Sequence, residues 1–301
     1  MKIGAMLDVN QSIDDVIAQV KGLHAAGLDS AWASQIFGYD ALTLLAVVGR
    51  EVPDIELGTA VVPTYPRHPV MLAGQALTTQ AAIGGRLTLG IGLSHRVVIE
   101  NVFGLSFERP ARHMREYLSI LMPLLLGEQV AFTGETLRAA TFGPLEISAP
   151  PPPVLVAALG PTMLSLAARL ASGTVTWMTG PATIESHVVP VIRQAAAEAG
   201  RGEPRVTVGL PVCVTDDVAA AREKAAEVFA VYGGLPSYRA MLDREGADGP
   251  ADVALVGTKE EVSAQVRRLA DIGASDFVGA PFGTAKEVSD SVATLAELRG
   301  S

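Results

Sequence analysis

Five histidines and one cysteine are the chain's scarce groups for acid–base, nucleophilic or metal chemistry, and they are scattered. No HExxH pair, no Ser-His-Asp spacing and no lysine suited to a Schiff base can be read. Cys213 stands alone, which excludes an intramolecular disulfide and a cysteine-clustered metal site. Two short stretches do carry chemistry. Gly160-Pro161-Thr162 has the form of a helix start, with backbone N–H groups at a positive dipole end that suits a phosphate; an ordinary turn is the competing reading. Gly90-Ile91-Gly92 lacks the third glycine of a dinucleotide fingerprint, so its glycines mark close approach by a neighbouring strand or by a flat ligand. His95, three residues beyond Gly92, can donate a proton or bond a substrate, or simply anchor its loop.

Those residues need elements to hold them. Short strand-like runs at 2–7, 30–34, 56–62, 87–91, 154–158, 174–178, 205–214 and 276–280 alternate with helical patterns at 13–26, 41–51, 70–83, 109–126, 161–170, 183–199, 218–231, 260–272 and 284–298. Asp40 reads as an N-cap and Thr258 with Glu261 as a capping box. Eight strand–helix units imply a parallel α/β fold, a closed (β/α)8 TIM barrel, with an open doubly wound sheet as the alternative. Residues 128–153 read as a hairpin-bearing insertion between strands four and five, and 233–257 as a lid or surface excursion. No linker divides the chain, so residues 1–301 are expected to form one barrel domain.

In such a barrel the working residues follow the strands. Those loops hold Asp8, Asn10, Ser34, Gln35, residues 62–68, 92–96, 158–162, 178–181 and 281–283. They are mostly apolar, small or neutral, which points to chemistry delegated to an organic cofactor. Among the other histidines, His68 is expected to fix the loop into the next helix. His113, with Arg112, is expected at a surface or interface, and His24 and His187 carry no case. Trp32 and Trp177 both read as core, with Trp177 near enough to the mouth to wall a pocket instead.

The formal charge of −9, without a basic run, disfavours nucleic acid or an anionic membrane as partner. No apolar run approaches the roughly 20 residues of a membrane span. The opening MKIGAMLDVN meets Asp8 too early for a signal-peptide core, so the expected location is cytoplasmic.

The segment LGTAVVPTYPRHPVMLAGQALTTQAAIGGRLTLGIG, residues 57–92, resembles the luciferase-like oxidoreductase superfamily, in the branch using the deazaflavin coenzyme F420. The order of its fragments carries the resemblance: an LGT-small-V strand, an R-x-P helix entry, a GGR turn and an LG-x-G strand. It extends to residues 158–161, to 173–178 and to ASDFVGAPFG near the C-terminus, and so covers nearly the whole chain.

The resemblance implies a non-proline cis peptide at Ala60–Val61, after Thr59, backing the deazaflavin ring. It implies a phosphate held by amides of Ala158, Leu159 and Gly160 ahead of Pro161, with Trp177, Met178 and Thr179 contributing. Gly92, Leu93 and Ser94 would lie beside the ring. Three features depart from the family pattern. His95 stands where better-known members place an acidic proton donor. Ser34-Gln35 replaces Asp-His, leaving Ser34 or Gln35 as orienter of the donor. The lysines and arginines that hold sugar phosphates are missing from the matching loops. The reading that follows is hydride transfer between F420 and a small uncharged apolar substrate with an activated C=C or C=O bond. An FMN-dependent monooxygenase and a non-enzymatic F420 or flavin carrier are the alternatives. A homodimer is compatible with each.

Overall fold

The computed structural model describes residues 1–299. Eight barrel strands run in chain order: β1 Lys2–Met6, β2 Ser30–Ala33, β3 Glu56–Thr59, β4 Leu87–Gly92, β5 Val154–Val156, β6 Gly173–Trp177, β7 Arg205–Val214 and β8 Asp276–Pro281. Each pairs in parallel with the next, and β8 pairs with β1, closing the ring. The closed TIM barrel, not the open sheet, is the fold.

Alternation along each strand sends one set of side chains to the helix layer and the other into the barrel. Ile3, Ala5, Leu57, Leu89 and Val208 belong to the outer core. The inward set is stacked by size. At the strand starts, Arg205 bonds Asp276 through two hydrogen bonds of 2.9 and 2.6 Å, Glu56 at 2.6 Å and Thr88 at 2.9 Å. Above it Trp32 fills the centre and donates to Ser30 Oγ at 2.8 Å. Glycine is required beside that ring: a Cβ on Gly58 would stand 2.3 Å from the Trp32 ring. Trp32, Leu155, Val175 and Val278 form a floor, and the half-buried Met6, Ala60, Val61 and Ala157 lie on it toward the strand ends.

Helix starts follow their capping residues. Ser12, Asp40, Thr258 and Thr284 each accept a backbone N–H of the first turn, and Thr258–Glu261 forms the expected capping box. The predicted helix over 183–199 is interrupted: Pro181–Thr183 passes through a π turn at Ile184–Val188 into Val189–Glu198. Pro190 has no N–H to give, and the wider turn accommodates it. Beyond the sequence reading lie a helix at Arg96–Asn101 and, inside 233–257, a helix Pro236–Glu245 and a strand Leu255–Gly257 pairing with the end of β7. The insertion carries the expected hairpin, Ala131–Thr133 with Arg138–Ala140. Buried Glu116 fastens it, accepting the N–H groups of Glu135, Thr136 and Leu137 and the Thr136 hydroxyl. Burial pushes the Glu116 carboxyl up, but those donors outweigh it and hold the pKa at about 2. Among the described residues no helix is long and apolar enough to cross a membrane.

Candidate active site

Strand β3 ends at a cis Ala60–Val61 peptide, the bond the resemblance implied, and Val62–Pro63 then resumes parallel pairing with the end of β4. Thr59, expected to touch the cofactor, faces away. Its hydroxyl donates to Gly90 O at 2.7 Å and accepts from Gly90 N at 2.9 Å in a fully buried position. The β4 glycines answer to this neighbouring strand. A Cβ on Gly90 would stand 1.9 Å from Thr59 O, and one on Gly92 would stand 2.6 Å from Val61 Cγ2.

The loop after β4 holds Ser94 at φ 60°, and Met178, directly after β6, lies at φ 52°. Left-handed backbone costs a non-glycine residue roughly 1–2 kcal/mol and persists where its surroundings impose it, often at working sites. His95 follows, half-buried, heading the short Arg96–Asn101 helix with no side-chain cap bond. Its ring lies 5.6 Å from that of Tyr238, and burial pulls its pKa below the usual 6.5. Ser34 and Gln35 do not hydrogen-bond His95 among the described residues. The Gln35 carbonyl instead accepts Ala41 N at 3.1 Å and fastens the following helix.

After β5, Gly160 heads the helix Pro161–Leu170 with no side-chain cap, leaving first-turn amides unclaimed by a side chain. A Cβ on Gly160 would meet no heavy atom within 4 Å. His187, set aside on sequence, is buried here and donates from Nε2 to Leu159 O at 2.8 Å, so it anchors this loop. Met178 and Thr179 are buried, and the Thr179 hydroxyl donates to Trp177 O at 3.2 Å; their backbone, not their side chains, can face a ligand.

Trp177 walls the mouth. Tyr232 and Phe229 lie edge-on to it at 5.9 and 6.1 Å, and Tyr238 continues the row at 5.2 Å from Tyr232. The excursion is thus laid across the strand ends. Glu245, closing its helix, caps the segment after β6 by accepting Ala182 N at 3.0 Å and Thr183 N at 2.6 Å. Arg67 is paired with Asp40 and Arg96 with Glu100, so neither stands free for an anion. His68 fixes its loop as expected, accepting Val70 N and donating to Arg138 O at 3.1 Å.

His113 corrects the sequence reading outright. It is 5% exposed, shares a 3.1 Å hydrogen bond with Thr64 Oγ1 and stacks on Tyr65. Both missed histidines had a signal. His113 shares an apolar helical stripe with Tyr117, Ile120 and Leu124, and His187 with Ile184, Val188 and Ile192. Among the described residues no cluster of three His, Cys, Asp or Glu could hold a metal.

Known proteins align with this architecture. The 5,10-methylenetetrahydromethanopterin reductase of Methanolobus tindarius is 27% identical over 293 residues, 87% of this chain and 88% of that one. The coenzyme F420-dependent tetrahydromethanopterin reductase of Methanopyrus kandleri superposes with a TM-score of 0.83 at 22% identity over 97% of each chain. A type II Baeyer–Villiger monooxygenase of Pseudomonas putida, solved with FMN, superposes at 0.75 with 17% identity over 99% of this chain and 97% of its own. The family model described as luciferase-like monooxygenase matches residues 1–301, and the chain belongs to that family.

Proposed function

We propose that the protein is an oxidoreductase that moves a hydride between the deazaflavin coenzyme F420 and a small uncharged substrate bearing an activated C=C or C=O bond. One observation carries the reading. The mouth joins an apolar floor of Met6, Ala60, Val61 and Ala157 to the uncapped helix start at Gly160, with His95 as its titratable side chain on the β4 loop. A flat ring suits such a floor, and a phosphate suits such amides. When bound, the coenzyme supplies the carbon that gives or takes the hydride. The chain does the rest. Ala158, Leu159, Gly160 and the turn into Pro161 hold the phosphate, and Gly92, Leu93 and Ser94 flank the ring. Trp177, Tyr232 and Tyr238 keep water out. His95 holds the proton that accompanies the hydride. The paired arginines favour an uncharged substrate over a phosphorylated one. A cytoplasmic location goes with this reading, as does one barrel domain over 1–301.

The test is a parallel titration with F420 and FMN, followed by anaerobic turnover of a panel of enones and ketones. Micromolar or tighter F420 binding with substrate reduction and no oxygen uptake supports the proposal. Tight FMN binding with substrate-coupled oxygen uptake would replace it by a monooxygenase. F420 binding without any turnover would leave a carrier.

A further inference from the structure

The imidazole of His113, on the helix Pro110–Leu125, starts two lines of contact that both end at the mouth. One runs through Thr64. His113 Nε2 and Thr64 Oγ1 are 3.1 Å apart, and Thr64 N donates to Gly92 O at 2.9 Å, the last residue of β4. The other runs through Tyr65. Its ring lies 3.9 Å from that of His113 with the planes 5° apart, and 5.1 Å from Phe107 on its way along the loop. The Tyr65 hydroxyl donates to Glu108 O at 3.4 Å. Arg96, the neighbour of His95, sits over Phe107 at 5.3 Å. The loop over 93–109 is therefore gripped near its far end by Tyr65 and at its root by Thr64, and one side chain holds both grips.

We propose that His113 is a positioning residue that sets the end of β4 and the loop carrying His95 in one register, fixing where His95 stands over the site. The name given to His95 rests on the proposed function; the contacts do not. Histidine suits the task because a neutral imidazole stacks through its face while offering a nitrogen at its edge. Phenylalanine would stack without the bond, and glutamine would bond without the stack. Burial supports this by keeping the ring neutral, against the opposing charge of Glu116 one turn on.

The test uses His113→Phe, Thr64→Val, their double variant and Tyr65→Leu, with thermal unfolding to confirm folding. Amide exchange is measured on the cofactor-free protein, so it decides the proposal even where the cofactor reading fails. His113→Phe and Tyr65→Leu are each expected to speed exchange over 93–109, Tyr65→Leu by about tenfold, while the helix Pro69–Ala82 is unchanged. In the loaded enzyme His113→Phe and Thr64→Val should each lower kcat about tenfold with F420 affinity within about threefold, and the double variant should be no worse than either. Unchanged exchange over 93–109, or losses in kcat that simply add, would overturn the proposal.

Discussion

The two ends of the barrel interior are built from opposite materials. At the strand starts, charge is fully committed: Arg205 spans buried Asp276, partly buried Glu56 and Thr88, and the exposed Lys2 pairs with Glu56 at 2.6 Å. At the strand ends, small apolar residues and backbone face the opening, and His95 has no hydrogen-bonding partner for its ring at the helix it heads. Trp32 separates the two, with the Arg205 guanidinium 6.0 Å from its ring. The closed end serves stability, because each charge there depends on the others. The open end leaves its groups unspent, which is what binding and proton transfer require.

The sharpest way to test this contrast is at the closed end. Arg205→Met leaves the buried Asp276 and the half-buried Glu56 without their common cation. Breaking a buried ion pair from one side typically costs about 3–5 kcal/mol. Urea unfolding should show a loss in that range. A loss near zero would mean that the cluster is solvated in practice and that the contrast is wrong.

The next prediction locates stability where the contrast assigns function. Burial pushes His113 down from 6.5 to about 4. The unfolded chain then takes up a proton first, so stability falls as pH drops from 6.5 toward 4 and levels below it. The shift amounts to roughly 3 kcal/mol at full expression. Glu116 acts in a lower window: held at about 2 against 4.5, it contributes stability above 4.5 that is lost as pH falls toward 2. Unfolding free energies measured from pH 7 to pH 2 should decline in two stages. His113→Phe should flatten the first and Glu116→Gln the second. A single stage, unmoved by His113→Phe, would show that the ring is not held neutral.

His95 separates function from stability. His95→Ala should slow turnover roughly 100-fold while leaving cofactor affinity nearly intact. Stability should change by less than about 0.5 kcal/mol, since the ring makes no cap bond. With burial lowering its pKa, the protonated donor becomes scarcer at neutral pH, so reduction should speed up as pH falls from neutral. Lost affinity with normal turnover would move His95 to the cofactor.

Legibility in the sequence follows the same division. The eight strands and most helices were readable because alternation and capping are local: Asp40, Thr258 and Glu261 act where their spacing put them. The cis Ala60–Val61 bond has no local signature and came through the family resemblance alone. The pleat places the Thr59 side chain on the face of Leu57, bonded to Gly90, while Gly58 and Ala60 point inward. His113 and His187 are polar residues on apolar stripes, so their burial is legible from position along the helix and not from residue type. The contacts of Tyr238 with His95 join residues 143 apart in the chain, and no pattern of spacing encodes them.

The smallest effect predicted is at Gly160, and it isolates charge from shape. The backbone there is at φ −78° and ψ 156°, a conformation open to any residue. A Cβ would meet no heavy atom of the protein within 4 Å. Gly160→Ala should therefore fold normally and stay within about 0.5 kcal/mol of the parent in stability. Gly160→Asp is expected to fold as well, because a carboxylate at a helix start is favourable to the macrodipole and can cap the free amides. That same carboxylate would occupy the place proposed for the phosphate and repel it. Affinity for F420 should drop by at least about 2 kcal/mol through like-charge contact and a lost charge-assisted bond. Comparing the two variants in one titration separates crowding from repulsion. Weak binding by Asp with near-normal binding by Ala would put an anion at Gly160. Equal binding by both would move the phosphate to another loop of the mouth, with the amides after β6 next in line.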